Sequence, residues 1–160
     1  APMTRKRWKP AQPHSLEHAT RLCTDYALHK HNRSVAQIAD LVGVSEWTVY
    51  KWIADGCIPT RRIRPFEFAC GATFITQWIA GSAQKLVIDI PAGKACSHND
   101  LMDLQTCLNK AVEHLSRFYR EQHDVEGTLE GVTQAIKQLA GHRENVRKAS
   151  APELELFERA

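Results

Sequence analysis

The stretch from Val35 to Ala54 holds the residues whose types and spacing suit recognition of another molecule. A helix beginning near Ser45 turns Ser45, Glu46, Trp47, Tyr50, Lys51 and Ala54 outward, and Val49 and Trp52 inward. On a helix laid in the major groove of DNA, Lys51 can donate to guanine O6 and N7 or to phosphate. Glu46 can accept from cytosine N4, and Ser45 can read several base edges. Trp47 suits a thymine methyl, or alternatively a core or a dimer face; Tyr50 suits a phosphate or simply covers the helix. Gln37 opens the preceding helix, whose N-terminus is also suited to a phosphate. Arg61, Arg62 and Arg64 follow the recognition helix and match the phosphate backbone, a solvated loop being the other reading. Arg5, Lys6 and Arg7 lie in an N-terminal arm suited to the minor groove or to phosphates, or else to a solubilising tail.

These side chains work only if two helices cross steeply over a tight turn. A small residue must stand where the helices touch, and Ala39 does. The turn needs a residue that tolerates positive φ, and Gly43 follows four positions later. Ile38, Val42, Val44, Val49 and Trp52 supply apolar side chains pointing inward, with no charged residue among them.

The surrounding chain reads as all-α. Residues 1–14 form a basic, Pro-rich arm; Ala1-Pro2 precede Met3, the expected native start. A head over residues 15–84 is expected to hold five helices. The first follows Ser15 to about Lys30, with Leu16, Ala19, Leu22, Cys23, Tyr26 and Ala27 on one face. The second and third span about Val35–Val42 and Glu46–Ala54, and Gly56 suits a left-handed helix end. The fourth starts at Pro65 and runs to about Cys70; the fifth spans about Phe74–Gly81. Residues 85–97 read as a linker or a short strand, because Lys85–Ile90 is apolar and β-branched before Pro91.

Residues 98–150 are expected to form a hairpin of two long helices for oligomerisation. Leu101, Leu104, Leu108, Ala111, Leu115 and Phe118 alternate at three and four, the spacing of a packed seam. After a turn at 122–124, Val125, Leu129, Val132, Ile136, Leu139 and Val146 continue that register. Met102, Val112 and Tyr119 widen the first stripe beyond what one partner helix covers, which predicts a homodimer or homotetramer. Folding back on the head is the alternative. The tail, 151–160, is expected to be loose; its Pro152–Phe157 stretch resembles a sliding-clamp-binding peptide, with Glu153 where that motif has Gln.

Composition narrows the function classes. The chain has 160 residues, 43% apolar and 24% charged, which excludes a wholly disordered protein. No run of 18 apolar residues occurs, so no transmembrane helix or membrane partner is expected, and the basic N-terminus lacks the apolar core of a secretory signal. Residues 1–64 carry eleven Lys/Arg against five Asp/Glu, and residues 65–160 carry ten against thirteen. A basic front half suits a polyanion. No C-x-x-C pair, phosphate-binding Gly loop or nucleophile elbow is present. His29 and His31 lack a third ligand at helical spacing, and Cys57 reads as a half-buried, inert thiol. Neither an enzyme, a cofactor nor a metal is expected.

The run from Ser34 to Ser45, SVAQIADLVGVS, resembles the first two motif helices and turn of the phage repressor superfamily. With the helical rear half, the chain is similar to phage CII-type regulators, which use the lambda-repressor-like fold. The likeness covers about residues 15–82 and extends to the rear only by architecture. It implies a phage or prophage transcription regulator, repressor or activator, that binds double-stranded operator DNA as an oligomer in the bacterial nucleoid of the cytoplasm. Such a regulator either blocks or recruits RNA polymerase. Thr48–Trp52 with Gly56, Ile58 and Pro59 also resembles excisionase and MerR-type winged helices, but these need two strands after Pro59. A non-specific architectural or replication-associated DNA binder and a protein adaptor are the competing classes.

Overall fold

The computed structural model describes residues 12–91, 98–121 and 124–150. Among them the chain is entirely helical, with seven helices and no strand. It divides into two units, one ending at Val87 and the other beginning at Ile88.

The first unit holds five helices: α1 (Leu16–His31), α2 (Val35–Val42), α3 (Glu46–Asp55), α4 (Thr60–Cys70) and α5 (Phe74–Ser82). Local chemistry places most of their ends. The Ser15 hydroxyl accepts from the His18 N–H and starts α1, and Asn32 ends it at φ 48°. Ser34 and Gln37 form a reciprocal capping box at α2, and Gly43 closes that helix at φ 73°.

Helix α1 packs on α3, α4 and α5, while α2 packs on α3 and α4. Their shared core includes Leu22, Cys23, Ile38, Val49, Trp52, Phe66 and Ile75. Trp52 meets Phe66 edge-on at 5.9 Å between ring centroids. Ala39 is buried on the inner side of α2, in the core it shares with α3 and α4.

One expectation needs correction here. Helix α4 starts at Thr60 rather than Pro65, so Arg61, Arg62 and Arg64 stand on a helix and not on a loop. Pro65 sits inside that helix on its exposed side, and its ring nitrogen cannot donate to the Arg61 carbonyl. Phe66, Ala69 and Cys70 bury the inner side of α4, and this burial overrides the proline as a helix start. Of the two readings for the connecting segment, residues 85–91 take the linker, there being no strand among the described residues to pair with.

The second unit contains α6 (His98–Glu121) and α7 (Val125–Ser150), packed against each other. Joined by three residues, they run antiparallel. Asp124, at φ 58°, accepts from the Gly127 N–H through Oδ1 and opens α7. Leu104, Leu108, Leu115 and Phe118 of α6 are half-buried and Ala111 is buried, as the spacing predicts, but Leu101 is exposed.

The seam of α7 is not the predicted one. Thr128 and Ala135 are buried, whereas Val125, Leu129, Leu139 and Val146 are exposed, and Val132 and Ile136 are half-buried. A Cβ at Gly131 would come 3.1 Å from Cδ2 of His114. Small residues on α7 thus receive the larger side chains of α6, and the aliphatic row of α7 is turned aside. Asp89 pairs with Lys137 at 3.4 Å, and Pro91 lies against Gly141, so the start of this unit runs along α7.

Candidate nucleic-acid interface

The α2–turn–α3 segment is built from its own backbone. The Ala39 carbonyl accepts from both Gly43 N–H (2.9 Å) and Val44 N–H (3.0 Å), which closes the turn. The Ser45 hydroxyl then caps α3 by accepting from the Thr48 N–H at 3.2 Å. Ser45 and Thr48 also share a hydroxyl–hydroxyl hydrogen bond of 2.7 Å. Ser45 therefore already has an architectural task at the position where base reading was expected.

Burying Val49 and Trp52 fixes the rotation of α3. Glu46, Trp47, Tyr50, Lys51 and Ala54 are consequently exposed together on one side. Trp47 is 71% exposed and Tyr50 53%, so neither belongs to the core of this chain. The Lys51 ammonium stands over the Trp47 ring, 5.6 Å from its centroid. The outer surface of α3 is thus an aromatic platform with a cation held on it. Glu46 lies in the first turn, where a carboxylate complements the helix dipole.

The remaining candidates divide by what they already hold. Arg61 is exposed. Arg62 is half-buried and donates from its guanidinium to the Val42 carbonyl at 2.8 Å, across twenty residues of chain. It closes the C-terminal end of α2 beside the turn, a cation at the negative end of a helix. Arg64 is bound to the buried Glu67 carboxylate at 2.9 Å. The Gln37 side-chain oxygen accepts from the Ser34 N–H at 2.8 Å. Arg5, Lys6 and Arg7 lie outside the described residues.

Two structural residues of the first unit escape sequence reasoning. Glu67, 1% exposed, accepts from Thr76 N–H and Thr76 hydroxyl, each at 2.7 Å, and so caps α5 from a neighbouring helix. Arg33 donates to the Ala69 carbonyl near the end of α4. Their partners are nine and thirty-six residues away, beyond any local pattern.

The other chemistry-bearing groups are spoken for or scattered. His31 packs edge-on to Tyr26 and covers Gly71, where a Cβ would come within 2.6 Å of its Nε2. Burial pushes the Cys23 thiol up to about 12 and raises Cys70 as well. Cys57 is exposed, contrary to the half-buried thiol expected, because it follows Gly56 outside the packed helices. Comparison of the chain with protein-family profiles, with curated proteins and with solved structures finds no match.

Proposed function

We propose that this chain is a sequence-specific DNA-binding protein and that α2 and α3 act as its helix-turn-helix. On this reading α3 enters the major groove with Glu46, Trp47, Tyr50 and Lys51 toward the bases, and the five helices form a repressor-like head. The observation that carries it is the exposed Trp47–Lys51 platform on a short helix whose opposite side is locked by Val49 and Trp52. A rigid helix with a solvent-facing set of donors, an acceptor and apolar area suits base-edge readout. Arg61 supplies a phosphate contact at the edge of that surface. The biological role that follows is a transcription regulator, of the phage or prophage kind its motif resembles, working on the bacterial chromosome. The paired helices α6 and α7 serve as its oligomerisation hairpin.

A second reading has an observation of its own. Exposed Trp and Tyr are enriched where proteins bind proteins, so the platform also suits an adaptor.

Selection from randomised duplex DNA near physiological salt separates the two. The regulator reading expects an enriched motif that Lys51→Ala no longer selects. Binding without enrichment would indicate an architectural DNA binder, and no retention would leave the adaptor.

A further inference from the structure

The second unit leaves an unusual amount of its surface uncharged. At about 100° per residue, every charged side chain of α6 after Asp100 falls within one arc of about 100°: Asp103, Lys110, Glu113, Arg117, Arg120 and Glu121. The α7 helix covers a second arc. Between the two runs a third stripe, Met102, Gln105, Asn109, Val112, Ser116 and Tyr119, with no charge in it. It is open to solvent: Val112 is 64% exposed and Tyr119 78%.

Helix α7 repeats the pattern. Its aliphatic row, Val125, Leu129, Ile136 and Leu139, lies beside the buried Thr128–Ala135 seam, and Leu129 is 63% exposed. Arg143 is the first charge to interrupt that row. In each helix the uncharged flank is rotated from the seam in the same sense along the chain. Because the helices are antiparallel, equal rotation brings both flanks to the same side of the pair. The contacts of Asp89 and Pro91 are with Lys137 and Gly141, on the charged side of α7, and leave this surface clear.

We propose that this shared uncharged face binds a second copy of the chain, face to face, to make a four-helix bundle. Six side chains on it, Met102, Val112, Tyr119, Val125, Leu129 and Leu139, offer roughly 80 to 180 Å² each, about 650 Å² in all. A standard interface takes about 800 Å² from each partner, so the face is of the right size for a dimer. Residues 98–150 carry eight acidic and seven basic residues, so two copies approach without net repulsion. The same near-neutrality gives a nucleic acid no attraction to this unit. A two-fold axis lets each face serve as its own complement.

The test is the mass of the full-length chain in solution, without DNA, by sedimentation and light scattering across a dilution series. We expect twice the chain mass of 18.1 kDa. Val112→Glu and Leu129→Glu, both at exposed positions, are expected to halve that mass while far-UV helicity is retained. Tyr119→Lys gives the same outcome from a third site should either glutamate variant fail to fold. Lys110→Glu, on the charged arc, is expected to leave the dimer intact. A parent chain monomeric throughout, a dimer that persists in all the face variants, or equal disruption by Lys110→Glu would each overturn the proposal. The proposal rests on the oligomerising role given above to α6 and α7, and the assay contains no DNA: a dimer that ignores DNA sinks only the DNA-binding reading, and a monomer that selects a DNA motif sinks the dimer and the oligomerising role but not DNA binding.

Discussion

Arg62 offers the sharpest discrimination between two roles for one side chain. Its sequence position suggests a phosphate contact, whereas its guanidinium holds the Val42 carbonyl at 2.8 Å. Replacing it by Met keeps most of the apolar stem and removes the donor. A hydrogen bond involving a charged group contributes about 1.5–3 kcal/mol, and partial exposure of Arg62 puts the loss at the low end, about 1.5 kcal/mol. That is about a tenfold change in the folding equilibrium. All four tryptophans (Trp8, Trp47, Trp52 and Trp78) precede Ile88, so intrinsic fluorescence during urea denaturation follows the first unit. Arg62→Met is expected to lower the midpoint with little change in slope. On DNA, the dependence of affinity on salt should stay the same, because no phosphate contact is lost. Arg61→Ala is expected to do the reverse: unchanged stability and a salt slope shallower by about 0.9. An Arg62→Met variant with parental stability and a slope reduced by that amount would falsify the capping role.

Three other perturbations test the packing and electrostatics. Glu67→Ala removes the acceptor for a Thr76 N–H and leaves a void in the core, costing about 3 kcal/mol or more, whereas Glu67→Gln keeps an acceptor and should cost about 1 kcal/mol; urea midpoints from tryptophan fluorescence would show whether the order is right. Thiol titration of the native chain should modify Cys57 rapidly and leave Cys23 and Cys70 untouched until urea opens the core, since burial holds both as thiols; fast labelling of all of them would contradict the packing. The Arg147 side chain hydrogen-bonds Glu144 and holds its carboxyl below the usual 4.5. Folding therefore favours the ionised form, and the contribution is present above pH 4.5 and lost as pH falls through the lowered value. Acid titration of helicity should show a smaller loss for Glu144→Gln than for the parent, and identical curves would remove Glu144 from the account.

Much of the first unit is legible because its signals are local. Ser15, Ser34, Ser45, Gly43, Gly56 and Gly71 bound helices through contacts within a few residues, which a linear reading reaches. Pro65 misleads for the same reason. Its preference for a first turn is local, while the burial of Phe66, Ala69 and Cys70 that keeps α4 continuous is a property of the assembled core. The outward row Glu46, Trp47, Tyr50 and Lys51 is legible from the burial of Val49 and Trp52 alone, since one inward stripe fixes the opposite face.

The sequence by itself determined most helix bounds and caps, the inward stripes of the first unit and the outward row of α3, all of which depend on neighbours three or four residues away. Only the tertiary structure decided which of the arginines around α4 are already committed. Arg62 at Val42, Arg64 at Glu67 and Arg33 at Ala69 are committed by helices that meet in space, and nothing in their charge distinguishes them from Arg61 beforehand. It also decided the rotation of α7. Periodicity marks an aliphatic row but not its partner, and the close approach at Gly131 favours the small seam over the leucines. Volume complementarity between two surfaces selects that rotation, and a single strand of sequence contains only one of the two.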